Sequence, residues 1–248
     1  MKIIDAIWEF KNLGQNTIEV ELEKEDLHKN LNDIFLSIEQ IKSKYKPNYM
    51  VIKVITGNPY IGNMLCNKGF LHIETQIKLK AVREDIKFFL AKYDSIFENT
   101  VIKKVNDERE IEEILNEVHK GIFYTDRIAL DKNFSLDIAN VRYANWIKDE
   151  VNRGSGLFRV MVEGKSIGFS LRRYDKFSVF DLLAGLYKEY QNFHIGGNIY
   201  FSALLMDVNN GYKKFYTSVS SNNLSSLHLH EMFGYKVHFI QEVYVKHF

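Results

Sequence analysis

Hydrophobic positions recur with two different periods in the first part of the chain. Residues 17–22 (TIEVEL) alternate apolar and polar side chains, as a half-buried β-strand does. The next apolar positions recur every three or four residues and predict an amphipathic helix. They are Leu27, Leu31, Ile34, Phe35, Ile38 and Ile41. Residues 50–55 (MVIKVI) are apolar and β-branched, which predicts a buried strand.

Capping residues place the next boundaries. Asn58-Pro59 combines an N-cap residue with a proline at the first helical position, so a helix is predicted to begin there. Gly69 is a natural C-terminal stop for that helix. A further strand, over 70–80, completes the first half of the chain.

The second part of the chain continues to alternate strands and helices. The pattern changes from helical to extended within 92–107, where we predict a boundary between two domains, 1–95 and 96–248. Beyond it, the periodicity predicts helices over 108–118, 135–152, 196–209 and 224–233, and strands over 157–162, 166–172, 177–186, 214–219 and 235–246. The helix that Ser135 caps is expected to turn Ile138, Val141, Ile147 and Val151 inward. This alternation predicts an α/β or α+β architecture.

Two segments of the chain resemble each other. VITGNPYIGNMLCNKGF ends a strand, caps a helix with Asn58 and stops it at Gly69. SVSSNNLSSLHLHEMFGY does the same with Asn223 and Gly234, and both offsets (223 − 58 and 234 − 69) are 165 residues. Such units also recur in unrelated α/β proteins, so common origin and chance similarity both stay open at this point.

Composition removes several classes of function. The 33 Lys+Arg and 32 Asp+Glu residues leave a formal charge of +1, which gives no electrostatic basis for binding nucleic acid or a membrane surface. The single cysteine, Cys66, excludes an internal disulfide and a cysteine-based zinc site, and we expect it to be a small buried side chain in a reducing compartment. The opening segment becomes charged too early for a signal peptide, and no apolar stretch is as long as a membrane span. The sequence therefore predicts a soluble, cytoplasmic protein without a metal.

The segment 178–198 has the pattern of a phosphate-binding loop. A buried strand ends near Leu186, and a polar turn then leads to Gly196-Gly197 at the start of an apolar helix. Free backbone N–H groups and the helix dipole at such a start attract phosphate groups, and glycines allow a ligand to approach the backbone closely.

The order of these elements resembles the GNAT acetyltransferase superfamily over about residues 100–248. The family loop, Gln/Arg-x-x-Gly-x-Gly/Ala, is similar to the segment from Gln191 to Gly196, with His194 at the first glycine position. The family's second motif is similar to Asn223, Ser226, Leu229, His230, Gly234 and Tyr235. The resemblance implies a GNAT fold, with a central mixed, mostly antiparallel sheet flanked by helices and an incomplete GNAT-like N-terminal half. It also implies acetyl-CoA as cosubstrate, held by Leu186, Gln191, Asn192, Phe193, His194, Ile195, Gly196, Gly197 and Asn223.

Two residues are candidates for proton transfer. The family places a tyrosine that protonates the departing thiolate where this chain has His230, and an imidazolium with a reference pKa of about 6.5 is able to fill that role. Packing against the pocket is the alternative role for His230. Asp181 lies in the apolar strand VFDLLAG, where a buried carboxylate needs a partner, so it is a candidate general base. An outward-facing position on the strand is the alternative for Asp181.

A narrower resemblance concerns residues 124–149. It contains an Asp-Arg pair, a downstream Asp and aromatic residue, and a helix ending in Tyr-x-x-Trp-Ile, which here are Asp126, Arg127, Asp131, Phe134, Tyr143, Trp146 and Ile147. In these residues it is similar to the region before the GNAT core in dTDP-fucosamine acetyltransferase and related nucleotide-sugar N-acetyltransferases. That resemblance makes Arg127 and Asp131 candidate substrate residues, with Arg127 binding a nucleotide phosphate. A structural ion pair between Arg127 and Asp131 is the alternative. Tyr143 and Trp146 are expected to be helix-packing aromatics.

The leading functional prediction is an N-acetyltransferase that acts on a primary amine of a small metabolite, with a nucleotide-linked amino sugar as the specific candidate. One alternative is a GNAT-fold module that binds acyl-CoA without catalysis. Another is an acetyltransferase for a peptide or antibiotic amine. No nucleic-acid or membrane partner is expected, and a homodimer stays open.

Overall fold

The computed structural model describes residues 1–97 and 99–248, which form ten strands and nine α-helices joined by two short 3-10 turns. The strands are β1 (Lys2–Asp5), β2 (Thr17–Leu22), β3 (Tyr49–Ile55), β4 (Leu71–Val82), β5 (Thr100–Lys104), β6 (Gly156–Val162), β7 (Lys165–Asp175), β8 (Ser178–Leu186), β9 (Lys214–Ser220) and β10 (Lys236–His247). The helices are α1 (Ile7–Leu13), α2 (Leu31–Tyr45), α3 (Pro59–Asn67), α4 (Arg83–Phe97), α5 (Glu108–His119), α6 (Arg127–Leu130), α7 (Leu136–Asn152), α8 (Gly196–Asn209) and α9 (Leu224–Met232).

All ten strands belong to one sheet, in the order β1-β2-β3-β10-β4-β9-β8-β7-β6-β5. Seven of the nine strand pairs are antiparallel, and only β2–β3 and β8–β9 are parallel. This confirms the predicted mixed, mostly antiparallel sheet flanked by helices.

Apolar side chains from alternate strand positions bury both faces of the sheet. On one face, α2 and α3 cover β2 and β3, while α4 and α8 cover β8 and β9. We call this the α8–α9 face. On the opposite face, α5 and α7 cover β6 to β8, while α1, α6 and the start of α7 cover β3 and β10. We call this the α5–α7 face.

The sequence repeat is also a repeat of strand pairing. Gln76 of β4 lies directly opposite Gln241 of β10, its equivalent 165 residues later. The pairing of Ile55 with Gln241 is matched, at the same offset, by that of Ser220 with Gln76. The last strands of the two halves are therefore exchanged, since β4 pairs with β9 and β10 pairs with β3. Common origin of the halves stays a hypothesis, and so does the domain boundary near residue 95, which falls within α4.

Most of the predicted elements are confirmed, and two predictions about particular residues are wrong. Val141 is 42% exposed, because α7 instead buries Ala139, Tyr143, Ala144 and Ile147. Cys66 is exposed on α3. The first 13 residues, for which no structure is predicted above, form β1 and α1.

Candidate functional site

The parallel strands β8 and β9 diverge. They pair over only four positions, from Ser178 with Lys214 to Asp181 with Thr217. The Thr217 Oγ1 donates a hydrogen bond of 3.0 Å to the Asp181 carbonyl oxygen at this last pair. Beyond it, β8 runs on to Leu186 beside β7, and β9 runs on to Ser220 beside β4. The result is a V-shaped gap in the sheet, which we call the splay, with its apex at Asp181 and Thr217.

Backbone donors of β8 point into the splay. The Tyr187 N–H donates to the Ile167 carbonyl oxygen of β7 at 2.9 Å. N–H groups of successive strand residues point to opposite sides, so those of Leu186 and Ala184 point away from β7. Because β9 has already diverged there, these donors face the gap. Leu186, one of the residues predicted to hold the cosubstrate, is therefore one of these donors.

The loop after β8 leads to the start of α8. In the part of the chain that the structure describes, the N–H groups of Gly196 and Gly197 donate no hydrogen bond within the protein. They are free donors at the positive end of a helix dipole, as an anion site requires. His194, at the position of the family's first glycine, has a left-handed backbone with φ of 57°. Histidine tolerates that conformation better than most residues, although glycine tolerates it best.

The other loop residues predicted to hold the cofactor are mostly exposed. Gln191, Asn192, Phe193 and His194 face solvent, and Ile195 is half-buried. The Gln191 Nε2 lies 3.5 Å from the Ile122 carbonyl oxygen, a contact that joins the loop to the segment after α5. The structure thus brings the predicted loop residues to the mouth of the splay.

Asn223 lies at the N-cap of α9. Its side-chain oxygen accepts a hydrogen bond of 3.1 Å from the Ser226 N–H, which stabilises the first turn of the helix. Within the described chain its Nδ2 group has no partner, so it is a free donor beside the splay. The equivalent Asn58 also caps its helix, but its Nδ2 donates to the Leu27 carbonyl oxygen at 2.8 Å.

His230 and Asp181 meet near the apex of the splay on the α8–α9 face. His230 is only 2% exposed, and its ring lies edge-on to the rings of Tyr200 and Tyr235, with centroids 4.7 and 4.9 Å away. Its Nδ1 lies 2.7 Å from the Ser226 carbonyl oxygen. A carbonyl only accepts, so Nδ1 carries a hydrogen. The Nε2 atom faces the Asp181 Oδ2 at 3.7 Å and is protonated only when the ring is cationic.

A buried arginine completes this cluster. Arg172 of β7 is 1% exposed, and its guanidinium lies 2.7 Å from the Asp207 carboxylate and 3.5 Å from that of Asp181. Burial alone would raise the pKa of Asp181, but Arg172 and His230 hold it below its ordinary value. Burial raises the pKa of Asp207, although Arg172 opposes the change. A carboxylate with a lowered pKa is a weak base, so this environment fits Asp181 as a partner for His230. A role as general base stays a prediction.

The candidate substrate residues Arg127 and Asp131 do not pair with each other, so the predicted ion pair is wrong. Arg127 is 6% exposed and contacts the carboxylates of Glu9 and Glu19 at 2.8 and 2.5 Å. Asp131 instead accepts from His247 at 2.8 Å. These partners bind Arg127 to the first half of the chain. Its role toward a nucleotide phosphate stays a prediction.

Sequence reasoning missed Arg172. The signal was present in the strand FSLRRYD, where one of two adjacent arginines must point into the core because successive strand residues face opposite sides. The expected packing of Tyr143 and Trp146 is confirmed, since both lie in the core between α5, α7 and the sheet.

Several features lie away from the splay. Two open depressions, of about 460 and 310 Å³, flank α2 and include no residue of the splay. Among residues 1–97 and 99–248, no cluster of His, Cys, Asp and Glu side chains is arranged to hold a metal ion. In the same residues, no helix has the length and apolar character of a membrane span.

No family model and no curated protein matches this sequence. Solved structures do match the fold. A GCN5-related N-acetyltransferase from Sphaerobacter thermophilus has a TM-score of 0.60 at 8% identity, covering 93% of this chain and 73% of that one. A tandem GNAT protein from the clavulanic acid biosynthesis pathway has a TM-score of 0.57 at 9% identity, covering 93% and 75%. A glucosamine N-acetyltransferase region of a fungal multi-domain β-N-acetylglucosaminidase has a TM-score of 0.55 at 14% identity, covering 79% of this chain and 25% of that one. This chain therefore has the GNAT fold, as its resemblance to that superfamily implies.

Proposed function

We propose that the protein is an acyl-CoA-dependent N-acyltransferase that transfers acetyl from acetyl-CoA to a primary amine of a small metabolite. The observation that carries the proposal is the splay between β8 and β9. It combines a gap in the sheet, inward N–H groups on Ala184 and Leu186, and a helix start with two free N–H groups. In the GNAT family, the asparagine at the position of Asn223, which lies beside this gap, contacts the pantetheine arm.

The donors around the splay fit the chemical groups of acetyl-CoA. Gly196 and Gly197 offer N–H groups to a pyrophosphate, and the Nδ2 of Asn223 offers a donor to a pantetheine amide. The N–H groups of Ala184 and Leu186 are placed to polarise a carbonyl oxygen in the gap. These groups bind and orient the cosubstrate.

His230 is suited to protonate the leaving thiolate. Because its Nδ1–H is held by the Ser226 carbonyl, the second proton of an imidazolium resides on Nε2, 3.7 Å from the Asp181 carboxylate. Transfer of this proton gives a free thiol and a neutral imidazole.

The acceptor class is a finer proposal. We infer an amino sugar, with a nucleotide-linked one as the specific candidate, from the similarity of residues 124–149 to nucleotide-sugar N-acetyltransferases. One structural neighbour is described as a glucosamine N-acetyltransferase, which agrees with this class but at 14% identity speaks for the fold alone.

The test is release of thiol from acetyl-CoA with amino sugars, nucleotide-linked amino sugars, polyamines and peptides, beside calorimetry of CoA binding. Turnover with an amino sugar supports both levels of the proposal. Turnover only with peptides would support acetyl transfer to an amine and exclude an amino sugar as the acceptor. CoA binding without turnover on any amine would exclude the enzyme.

The alternative function is acyl-CoA binding without catalysis. It is favoured by the enclosure of His230 between two tyrosine rings, where the imidazole also serves as packing. His230→Phe separates the two functions. In an enzyme, turnover falls by about 10²-fold or more while CoA affinity is kept, whereas a binder shows no change in affinity and no turnover before or after the substitution.

A further inference from the structure

One buried carboxylate differs from the others in its surroundings. Eight carboxylate side chains are buried in the described chain: Glu9, Glu19, Asp26, Glu74, Asp131, Glu150, Asp181 and Asp207. Seven of them lie between 2.5 and 3.5 Å from a basic group. Glu74, which is 3% exposed, has no basic group of the described residues within 4.0 Å. A buried carboxylate without a cation is costly, and such groups concentrate at functional sites.

Glu74 lies beside the open end of the splay. It belongs to β4, the exchanged strand, which pairs with β9 from Gln76 opposite Ser220 onward. The Ser221 N–H donates to the Thr75 carbonyl oxygen at 2.8 Å, so the end of β9 contacts the backbone next to Glu74. Register places Glu74 opposite Val243 on the α5–α7 face, away from His230.

The segment after α5 crosses this face between β8 and β4. A side chain at Gly185 would meet Ile122 and Phe123 at 2.9 Å, so this segment covers the β8 side of the splay. Asp126, a few residues later, is close enough to influence the ionisation of Glu74. The carboxylate thus lies next to the end of β9 that borders the splay, on the face of the sheet opposite His230.

Burial disfavours the charged form of Glu74, although most of its polar neighbours favour it. Its Oε1 accepts from the Gln76 Nε2 at 2.8 Å, and the Gln76 Oε1 accepts from the Lys78 Nζ at 3.0 Å. Burial and, to a lesser degree, Asp126 raise the pKa of Glu74, while Gln76, Arg127 and Ser220 oppose the change. Tyr143 of α7 is close enough to interact with Glu74, and Gln241 of β10 lies opposite Gln76 on the same face.

We propose that Glu74 binds the acceptor as a primary ammonium ion and takes the first proton from its nitrogen. This inference rests on the proposed function and names both a base and a substrate class. A bound ammonium supplies the cation that the carboxylate lacks. A carboxylate with a pKa nearer to neutrality is also a stronger base than an ordinary one.

The step balances as follows. Glu74 accepts one proton from R–NH3⁺, which leaves R–NH2 with a lone pair. The nitrogen bonds to the acetyl carbonyl carbon, the C–S bond breaks, and its electron pair passes to sulfur. The nitrogen loses a second proton to solvent, and the sulfur takes one from His230, which solvent then reprotonates. Glu74 returns its proton to solvent, so the net products are the amide, free CoA thiol and one proton.

The test compares Glu74→Gln with wild type, using the best amine of the acceptor panel from pH 5.5 to 9. Wild type should lose kcat/KM as pH falls through the raised pKa of Glu74. The variant should lose about 10²–10⁴-fold in kcat/KM, and that acidic limb should disappear. CoA affinity should stay within twofold, and the melting temperature should not fall, because the variant removes an uncompensated buried charge.

The matched control is Glu21→Gln. Glu21 lies on the same sheet face but on β2, where it contacts Lys2 and Lys53 at 3.5 and 3.6 Å. The kcat/KM of Glu21→Gln should stay within twofold of wild type. If the wild type turns over and Glu74→Gln has the same pH profile as the wild type, the role of Glu74 is overturned and the proposed function is not affected. Absence of wild-type turnover with every amine would overturn this role together with the proposed function.

Discussion

The two halves of the molecule have the same framework but treat their parallel strand pair in opposite ways. In the first half, β2 pairs with β3 over all six of its residues. In the second half, β8 pairs with β9 over four of its nine residues. The polar groups at the splay have apolar counterparts in the first half, since register matches Asp181 with Val20 and the 165-residue offset matches His230 with Leu65. The closed pair with apolar lining is part of the core, whereas the open pair with polar lining forms the candidate site.

The exchange of β4 and β10 gives the first half a second role. Because β4 pairs with β9, a strand of the closed half forms one border of the open half and brings Glu74 to it. The first half therefore forms a core of its own and also contributes a strand beside the candidate site of the second half. The predictions below alter one half at a time, with the matching position as control.

The largest effect is expected from Arg172→Met. This removes the only basic partner that Asp207 has among the described residues, and leaves two carboxylates buried on the α8–α9 face. Breaking a buried ion pair by removing one partner lowers the free energy of unfolding by about 3–5 kcal/mol. The control is Ile3→Met at the matching position of β1, which is 42% exposed and should change stability by less than about 0.5 kcal/mol. Urea denaturation measures both, and a loss below about 1 kcal/mol for Arg172→Met would contradict the ion-pair interpretation.

Arg172 also shows which features of the structure could be predicted from the sequence and which could not. Periodicity and capping residues determine local structure, so 17–22, Pro59 and Gly69 sufficed to predict strand, helix start and helix end. Similarity to the GNAT motifs located the loop from Gln191 to Gly197. The partner of a charged residue depends on strand order, which no local pattern specifies.

The partners of Arg127 and Glu74 could not be predicted from the sequence either, because they also depend on how distant elements pack. Arg127 meets Glu9 and Glu19 only because α6 packs against the first half, more than 100 residues away in sequence. Glu74 lies next to the end of β9 only because β4 and β10 are exchanged. The sequence repeat at an offset of 165 was the one signal of that exchange, and it did not reveal which strands pair.

Two separate variants, Leu65→His and His230→Leu, test whether each half tolerates the side chain found at the matching position of the other half. Leu65→His places an unpartnered imidazole in the apolar core of the first half, which should lower the free energy of unfolding by about 2–4 kcal/mol. His230→Leu removes the hydrogen bond from Nδ1 to the Ser226 carbonyl and no hydrogen bond of Nε2 in the described chain, so it should lower the free energy of unfolding by only about 1 kcal/mol. It should still slow thiol release. Equal stability losses for the two variants would contradict the distinction between core and site.

The two capping asparagines allow a smaller and more selective test. Serine caps a helix about as well as asparagine, so Asn58→Ser and Asn223→Ser keep both caps and remove only the Nδ2 donors. Asn58→Ser leaves the Leu27 carbonyl without its donor and should lower the free energy of unfolding by about 1 kcal/mol. Asn223→Ser should leave stability within about 0.5 kcal/mol and weaken CoA binding by about 2–10-fold. Unchanged CoA affinity would argue against a contact between Asn223 and the pantetheine arm.

The smallest effect is expected at His194, where the loop of the second half has a left-handed backbone with φ of 57° on a residue other than glycine. His194→Gly relieves about 1–2 kcal/mol of backbone strain but adds about 0.5–1 kcal/mol of entropy loss on folding. The net gain in the free energy of unfolding should be about 0.5 kcal/mol. His194→Ala, the control, removes the imidazole and keeps the strain, so it should be less stable than His194→Gly by about that amount. CoA affinity should rise slightly in the glycine variant alone, because a relaxed turn presents Gly196 and Gly197 without strain. Weaker CoA binding in both variants would mean that the imidazole itself contacts the ligand, and that this histidine is a functional replacement for the family's glycine.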